Sequence, residues 1–135
     1  MILLDTHILI WLDSGERIKA SALDAIEATR SEGGVLVSPV SAWEIGSLVR
    51  KRQLSLAPDP LSWIRRFLSQ PGVRSVDLTM EAAALSASLP ESFHGDPADR
   101  LLIATARELG AALATRDERI LAYAAKTRSL DVLAC

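Results

Sequence analysis

Short apolar segments, each followed by polar residues and a helical stretch, constrain this chain more than any other feature. They lie at residues 2–4, 35–38, 73–78 and 111–115, with a fifth at 130–133. Strands that alternate with helices predict a parallel sheet flanked by helices, because each parallel return needs a crossover. Helices are expected over 7–12, 21–31, 41–52, 61–69, 79–89, 97–109 and 118–125. Their ends carry recognisable signals. Ser21 with Asp24, and Ser41 with Glu44, have capping-box spacing, and Thr79 is placed to cap the helix that Pro90 ends. Asp96 precedes Pro97 as an N-cap before a first-position proline, and Gly110 follows the last helical residue. The segment 93–97 reads as a turn.

Four carboxylates fall just after an apolar segment or in the first turn of the helix that follows one: Asp5, Glu44, Asp99 and Asp117. An open α/β sheet gathers its functional groups at the carboxyl ends of its strands, near the point where strand order reverses. If these segments are parallel strands, the four acids converge. Carboxylates about 4 Å apart repel by about 4 kcal/mol per pair at an effective dielectric near 20, so some must protonate or a cation must sit among them. Each acid also has a structural explanation. Asp5 could cap the helix beginning near His7, Ser41 and Glu44 could form a capping box, Asp99 could compensate a helix dipole, and Asp117 could cap the helix from Glu118. Thr6 and Thr115 are hydroxyls placed to support Asp5 and Asp117. An oxygen-only set suits Mg²⁺ or Mn²⁺ rather than structural zinc. Its natural reaction is phosphodiester hydrolysis by an activated water. The chain has no Walker-type loop, no Gly-x-Gly-x-x-Gly turn and no convincing Ser-His-Asp or Cys-His set. Neither His7 nor His94 has a second His or Cys at ligand spacing; they read as helix-start and turn residues.

With 135 residues the chain is expected to form one domain, 1–135, around a single core. Its 49% hydrophobic content and mean hydropathy of +0.20 are high for a soluble monomer, so surplus apolar surface is expected to meet a protein partner. No apolar run approaches the roughly 20 residues that span a bilayer, and the amino terminus lacks a basic signal-peptide start. A cytoplasmic, membrane-free protein is expected. Cys135 excludes an internal disulfide and reads as a dispensable terminal residue. A net charge of −2 gives no global field for nucleic acid. The local basic candidates are Arg50, Lys51 and Arg52 with Arg65 and Arg66, while Arg100 and Arg116 each adjoin one of the four acids.

At these residues the sequence resembles the PIN-domain family and, within it, the VapC toxins of bacterial toxin–antitoxin pairs. The matching segments are Leu-Leu-Asp-Thr-His at 3–7, Val-Ser-Ala-Trp-Glu-Ile at 40–45, His-Gly-Asp-Pro-Ala-Asp-Arg-Leu-Leu-Ile-Ala-Thr-Ala at 94–106, and Leu-Ala-Thr-Arg-Asp at 113–117. The resemblance implies a three-layer α/β fold, with a mostly parallel sheet of four to five strands between helices. It also implies a Mg²⁺- or Mn²⁺-dependent endoribonuclease. Carried over, the metal ligands fall on Asp5, Glu44, Asp99 and Asp117. Thr6, Ser41 and Thr115 are supporting hydroxyls, and Asp96, Arg100 and Arg116 adjoin the ligand motifs. A homodimer, an RNA substrate and a cognate antitoxin that covers the acidic pocket, often presenting an Arg to it, are further implications.

Three other readings are weighed. A phosphatase using Asp5 as nucleophile would want a second acid two residues on, where His7 stands. A PIN nuclease that processes RNA without being a toxin would keep the same acids. A catalytically silent PIN-like binding module would have lost one or more of them, and none is lost.

Overall fold

The structure, a computed structural model, describes residues 1–90, 93 and 95–135. Five parallel strands are ordered β3-β2-β1-β4-β5. They are β1 (Ile2–Leu4), β2 (Val35–Val37), β3 (Val73–Ser75), β4 (Ala112–Thr115) and β5 (Val132–Ala134). The connections carry α1 (Thr6–Ser14), α2 (Ala20–Ser31), α3 (Pro39–Arg50), α4 (Pro60–Leu68), α5 (Met80–Ala87), α6 (Pro97–Leu109) and α7 (Glu118–Thr127). The three-layer α/β arrangement is the one expected from the sequence. Among the described residues no helix is long and apolar enough to cross a membrane.

Alternation along the strands divides the apolar side chains between two cores, as the period of two requires. Ile2, Leu4, Val35, Val37 and Ala114 meet Ile8 and Leu9 of α1, Ile26 of α2, Ile45 of α3 and Trp63, Ile64 and Phe67 of α4. Leu3, Leu36 and Leu113 face the other way, onto Ala82 of α5, Leu102 and Ile103 of α6, and Ile120 and Tyr123 of α7. Because both faces are covered, strands such as Ile-Leu-Leu need no polar alternation. The chain winds outward from β1 to β2 and β3, then returns to the far side of β1 for β4 and β5. The switch point therefore lies at the carboxyl ends of β1 and β4, directly above Asp5.

Several boundaries differ from the sequence reading, each for a local reason. β2 ends at Val37 because Ser38 is the N-cap of α3, its hydroxyl accepting from the Val40 amide with Pro39 at the first position. Helix α3 thus starts two residues before 41, and Ser41 lies inside its first turn. The Ser21–Asp24 capping box does not form either. Ile18 is buried, Lys19 takes the cap position without a side-chain bond, and Ser21 falls past the point where it could cap. β3 stops at Ser75, since its partner β2 has already ended; the Val76 amide makes the last bond, to the Val37 carbonyl. Cys135, read from the sequence as a dispensable terminal residue, has its side chain buried in the first core and its amide bonded to the Thr115 carbonyl. The turn assigned to His94 lies outside the described residues.

Candidate functional site

Asp5 leaves β1 with extended backbone and occupies the N-cap position of α1, yet its side chain makes no capping bond. Its carboxylate instead accepts the Thr115 hydroxyl at 2.6 Å, from the end of the adjacent strand β4. Thr115 is fully buried, and its oxygen also accepts the Asp117 backbone amide at 3.0 Å. The hydroxyl contact from Thr115 to Asp117 that the sequence suggests is made to the Asp117 backbone amide, while the hydroxyl proton goes to Asp5. One residue thereby ties the ends of two neighbouring strands to two of the acids.

Thr6 does the corresponding work toward α3. Its buried hydroxyl lies 2.9 Å from Ser41 Oγ and donates to Glu44 Oε1 at 2.5 Å. The expected capping box of Ser41 and Glu44 is absent because both side chains belong to this chain of hydroxyls. On the opposite side of the pocket Asp96 caps α6, accepting the Asp99 amide at 2.9 Å, with Pro97 next. That cap turns the first helical turn so that Asp99, only 7% exposed, faces the strand ends. Asp117 caps α7 through the Arg119 amide at 2.8 Å and pairs with the Arg119 guanidinium at 3.2 Å.

Asp5, Glu44, Asp96, Asp99 and Asp117 line one open pocket of about 370 Å³, together with His7, Trp11, Arg116 and Arg119. A larger hollow of about 450 Å³ lies at the amino-terminal edge of the sheet, beside Gly33 and Gly72, with Glu27 and Arg30 as its charged residues. Among the described residues the site carboxylates converge at the carboxyl edge.

Electrostatics there are unbalanced. Burial, Asp96 and then the charges of Asp5, Asp117 and Glu44 push Asp99 from its ordinary 3.8 up to about 7. Burial also raises Asp5 despite the Thr115 hydrogen bond. It raises Glu44 too, with Asp5 and Asp96 adding to the rise and the Thr6 hydroxyl opposing it. Asp117 goes the other way: burial works against it, but the hydrogen bonds and charge of Arg119 outweigh burial and hold it low. Arg119 also reaches Asp99, at 3.7 Å.

Arg100 and Arg116, which adjoin two of the acids in sequence, part ways. Arg100 turns from the pocket to donate to the carbonyls of Ser86 and Phe93, bracing the approach to α6. Arg116 lines the pocket, with its guanidinium 4.2 Å from the Trp11 ring centroid and bonds to the carbonyls of Arg17 and Cys135. Trp11, His7 and Arg119 are pocket residues that the sequence reading did not place there. For Arg119 the signal was present, as a cation two residues beyond an acid in a first helical turn.

The donor set fits a hard divalent cation in type and charge: every ligand atom would be a carboxylate oxygen, and burial, with neighbouring negative charge, raises three of the acids. As the side chains lie, no three Asp, Glu, His or Cys groups among the described residues are arranged to hold one ion. Glu44 is engaged by Thr6, and Asp117 by Arg119.

A parallel α/β sheet with a carboxylate-lined pocket at its switch point defines a class of α/β domain with an acidic site between its central strands. The family follows from the sequence: a model of the PIN domain matches residues 2–126, and the chain belongs to the PIN domain family. It is 38% identical over 120 residues to Ribonuclease VapC22 of Mycobacterium tuberculosis, covering 88% of each chain. Among solved structures, VapBC2 from Rickettsia felis, bound to a DNA fragment from its promoter, superposes with a TM-score of 0.71 at 18% identity. The match covers 99% of this chain and 98% of that one. FitAcB from Neisseria gonorrhoeae superposes with a TM-score of 0.65 at 24% identity, over 98% and 96% of the two chains.

Proposed function

We propose that this chain is a divalent-cation-dependent endoribonuclease and the toxin of a type II toxin–antitoxin pair. The observation that carries the reading is the pocket itself, where five carboxylates meet above β1 and β4 with one exposed guanidinium against them. The kinship with a protein named a ribonuclease supports RNA as substrate. The solved neighbours, which include a toxin–antitoxin complex from Klebsiella pneumoniae, support an antitoxin as partner.

In this reading Asp5, Glu44, Asp99 and Asp117 would hold Mg²⁺ or Mn²⁺. When bound, such a cation supplies positive charge to the attacking and leaving oxygens and makes water acidic enough to attack at neutral pH. The protein's own part is positional. Thr115 fixes Asp5 against rotation, and Thr6 with Ser41 fixes Glu44. Asp96 sets the pitch of the turn that presents Asp99. No covalent nucleophile is needed, since the bond is broken by water. Exposed Trp43 on α3 and Leu61 on α4 leave apolar surface for a second copy or an antitoxin. The pocket's negative charge suits a basic antitoxin segment, and the cytoplasm is the compartment in which RNA would be met.

The test is cleavage of RNA by the purified full-length chain in Mg²⁺, in EDTA and as Asp5→Asn. Cleavage should require the cation and fall at least 100-fold in the variant; equal rates in EDTA and Mg²⁺ would refute it. A toxin, unlike an RNA-processing nuclease, should also arrest growth when expressed alone and lose that effect when co-expressed with its neighbouring gene product. A silent binding module would bind RNA without cutting it.

A further inference from the structure

Arg119 stands where its charge is most consequential. Its side chain is 62% exposed, with the guanidinium 3.2 Å from Asp117 Oδ2 and 3.7 Å from Asp99 Oδ2. It lines the acidic pocket, and its side-chain acceptors among the described residues are these two carboxylates. Arg116, the other arginine of the pocket, is committed elsewhere, to Trp11 and two backbone carbonyls. Arg119 therefore provides the only arginine charge delivered directly to the acids among the described residues.

We propose that Arg119 is a resident counter-ion, which competes with the divalent cation for Asp99 and Asp117 and so sets the cation concentration at which the pocket fills. The inference rests on the cation reading of the pocket given above. It accounts for the side-chain arrangement: Asp117 is turned to Arg119, and no three acids are disposed to hold one ion. The same geometry explains why the competition is mild and reversible. An exposed pair of this kind shifts an equilibrium by only roughly 2- to 5-fold, enough to tune filling without preventing it. The cap itself does not depend on the guanidinium, because the bond to Asp117 Oδ1 comes from the Arg119 backbone amide. Substitution of the side chain thus leaves α7 its start.

The test is a Mn²⁺ titration of the full-length chain by calorimetry, comparing wild type, Arg119→Gln, Arg119→Lys and Arg66→Gln. Arg66 is an exposed residue of α4 outside the pocket, so its variant has the same change in net charge. Arg119→Gln should bind Mn²⁺ about 3- to 5-fold more tightly, Arg119→Lys should fall between it and wild type, and Arg66→Gln should match wild type. Equal or weaker binding by Arg119→Gln, or an equal gain in Arg66→Gln, would overturn the proposal while leaving the cation reading standing. Failure of wild type itself to bind Mn²⁺ would instead remove the cation reading, and this inference with it.

Discussion

Asp99→Asn is the perturbation that most directly measures how strained the metal-free pocket is. A rise from 3.8 to about 7 corresponds, at about 1.4 kcal/mol per unit, to a ceiling of about 4 kcal/mol of unfavourable charge at neutral pH. Water in an open pocket screens part of this, so about 2 kcal/mol is the working figure. The substitution forfeits roughly 0.5 kcal/mol of helix-dipole stabilisation at the start of α6. It breaks no close side-chain bond, since Arg119 at 3.7 Å is the nearest partner. The net gain of about 1.5 kcal/mol should raise Tm by roughly 4–8 °C for a chain of this size. The assay is thermal unfolding followed by circular dichroism in EDTA at pH 7.5. The sign of the pH dependence follows from linkage. Because the folded carboxyl holds its proton more tightly than the unfolded one, wild type loses stability as pH rises from about 4 to 7. The advantage of the variant should accordingly shrink as pH falls from 7.5 to 5 and vanish near pH 4. Excess Mg²⁺ should reverse the order, since a cation present at about 100 times its Kd adds about 2.7 kcal/mol to whichever protein binds it. A variant that melts at or below the wild-type temperature in EDTA at pH 7.5 would show that the charge at Asp99 is already compensated and would refute the argument.

Two further substitutions separate the site from the scaffold. Thr115→Val keeps the shape of a fully buried residue but strips the donor from Asp5 and the acceptor from the Asp117 amide; urea unfolding should show a loss of about 1–3 kcal/mol, and RNA cleavage should drop more than 10-fold. An unchanged urea midpoint would mean that the hydroxyl is not holding the strand ends together. Gly72→Ala tests the opposite edge of the sheet: φ is +79° there and an added Cβ would meet the Arg30 carbonyl oxygen at 1.8 Å, so stability should fall by about 3 kcal/mol or more. The soluble folded fraction should nevertheless keep its cleavage rate per molecule, and a parallel loss of rate would link the two edges in a way the fold does not suggest.

The strand–helix alternation is legible because the inner strands β1, β2 and β4 are buried on both faces, so their apolar runs stand out between helical stretches. Asp96-Pro97 and Gly110 bracket α6 as written, at Pro97–Leu109. What pattern could not settle was the use of a polar side chain near a helix start. Ser21–Asp24 and Ser41–Glu44 have the same spacing, yet one forms no cap and the other is linked through the Thr6 hydroxyl, which holds Glu44 at the pocket. The ambiguity is physical. A helix N-terminus and a bound cation both offer positive potential to a carboxylate, so the same residues satisfy either. Only tertiary placement separates them, and the placement is set by residues with no charge at all. Leu3 and Leu4, without exposed surface in the central strand, fix where Asp5 emerges. Leu113 and Ala114, paired in register with Leu3 and Leu4, fix Thr115 beside it. The Thr115–Asp5 bond spans 110 residues of sequence, yet it follows from a one-residue register. A slip of that register would turn Thr115 to the other face of the sheet and take the donor from Asp5. The apolar register of β1 and β4 thus determines whether Asp5 and Asp117 share a pocket, and that register is what places a charge-dependent site in an otherwise ordinary core.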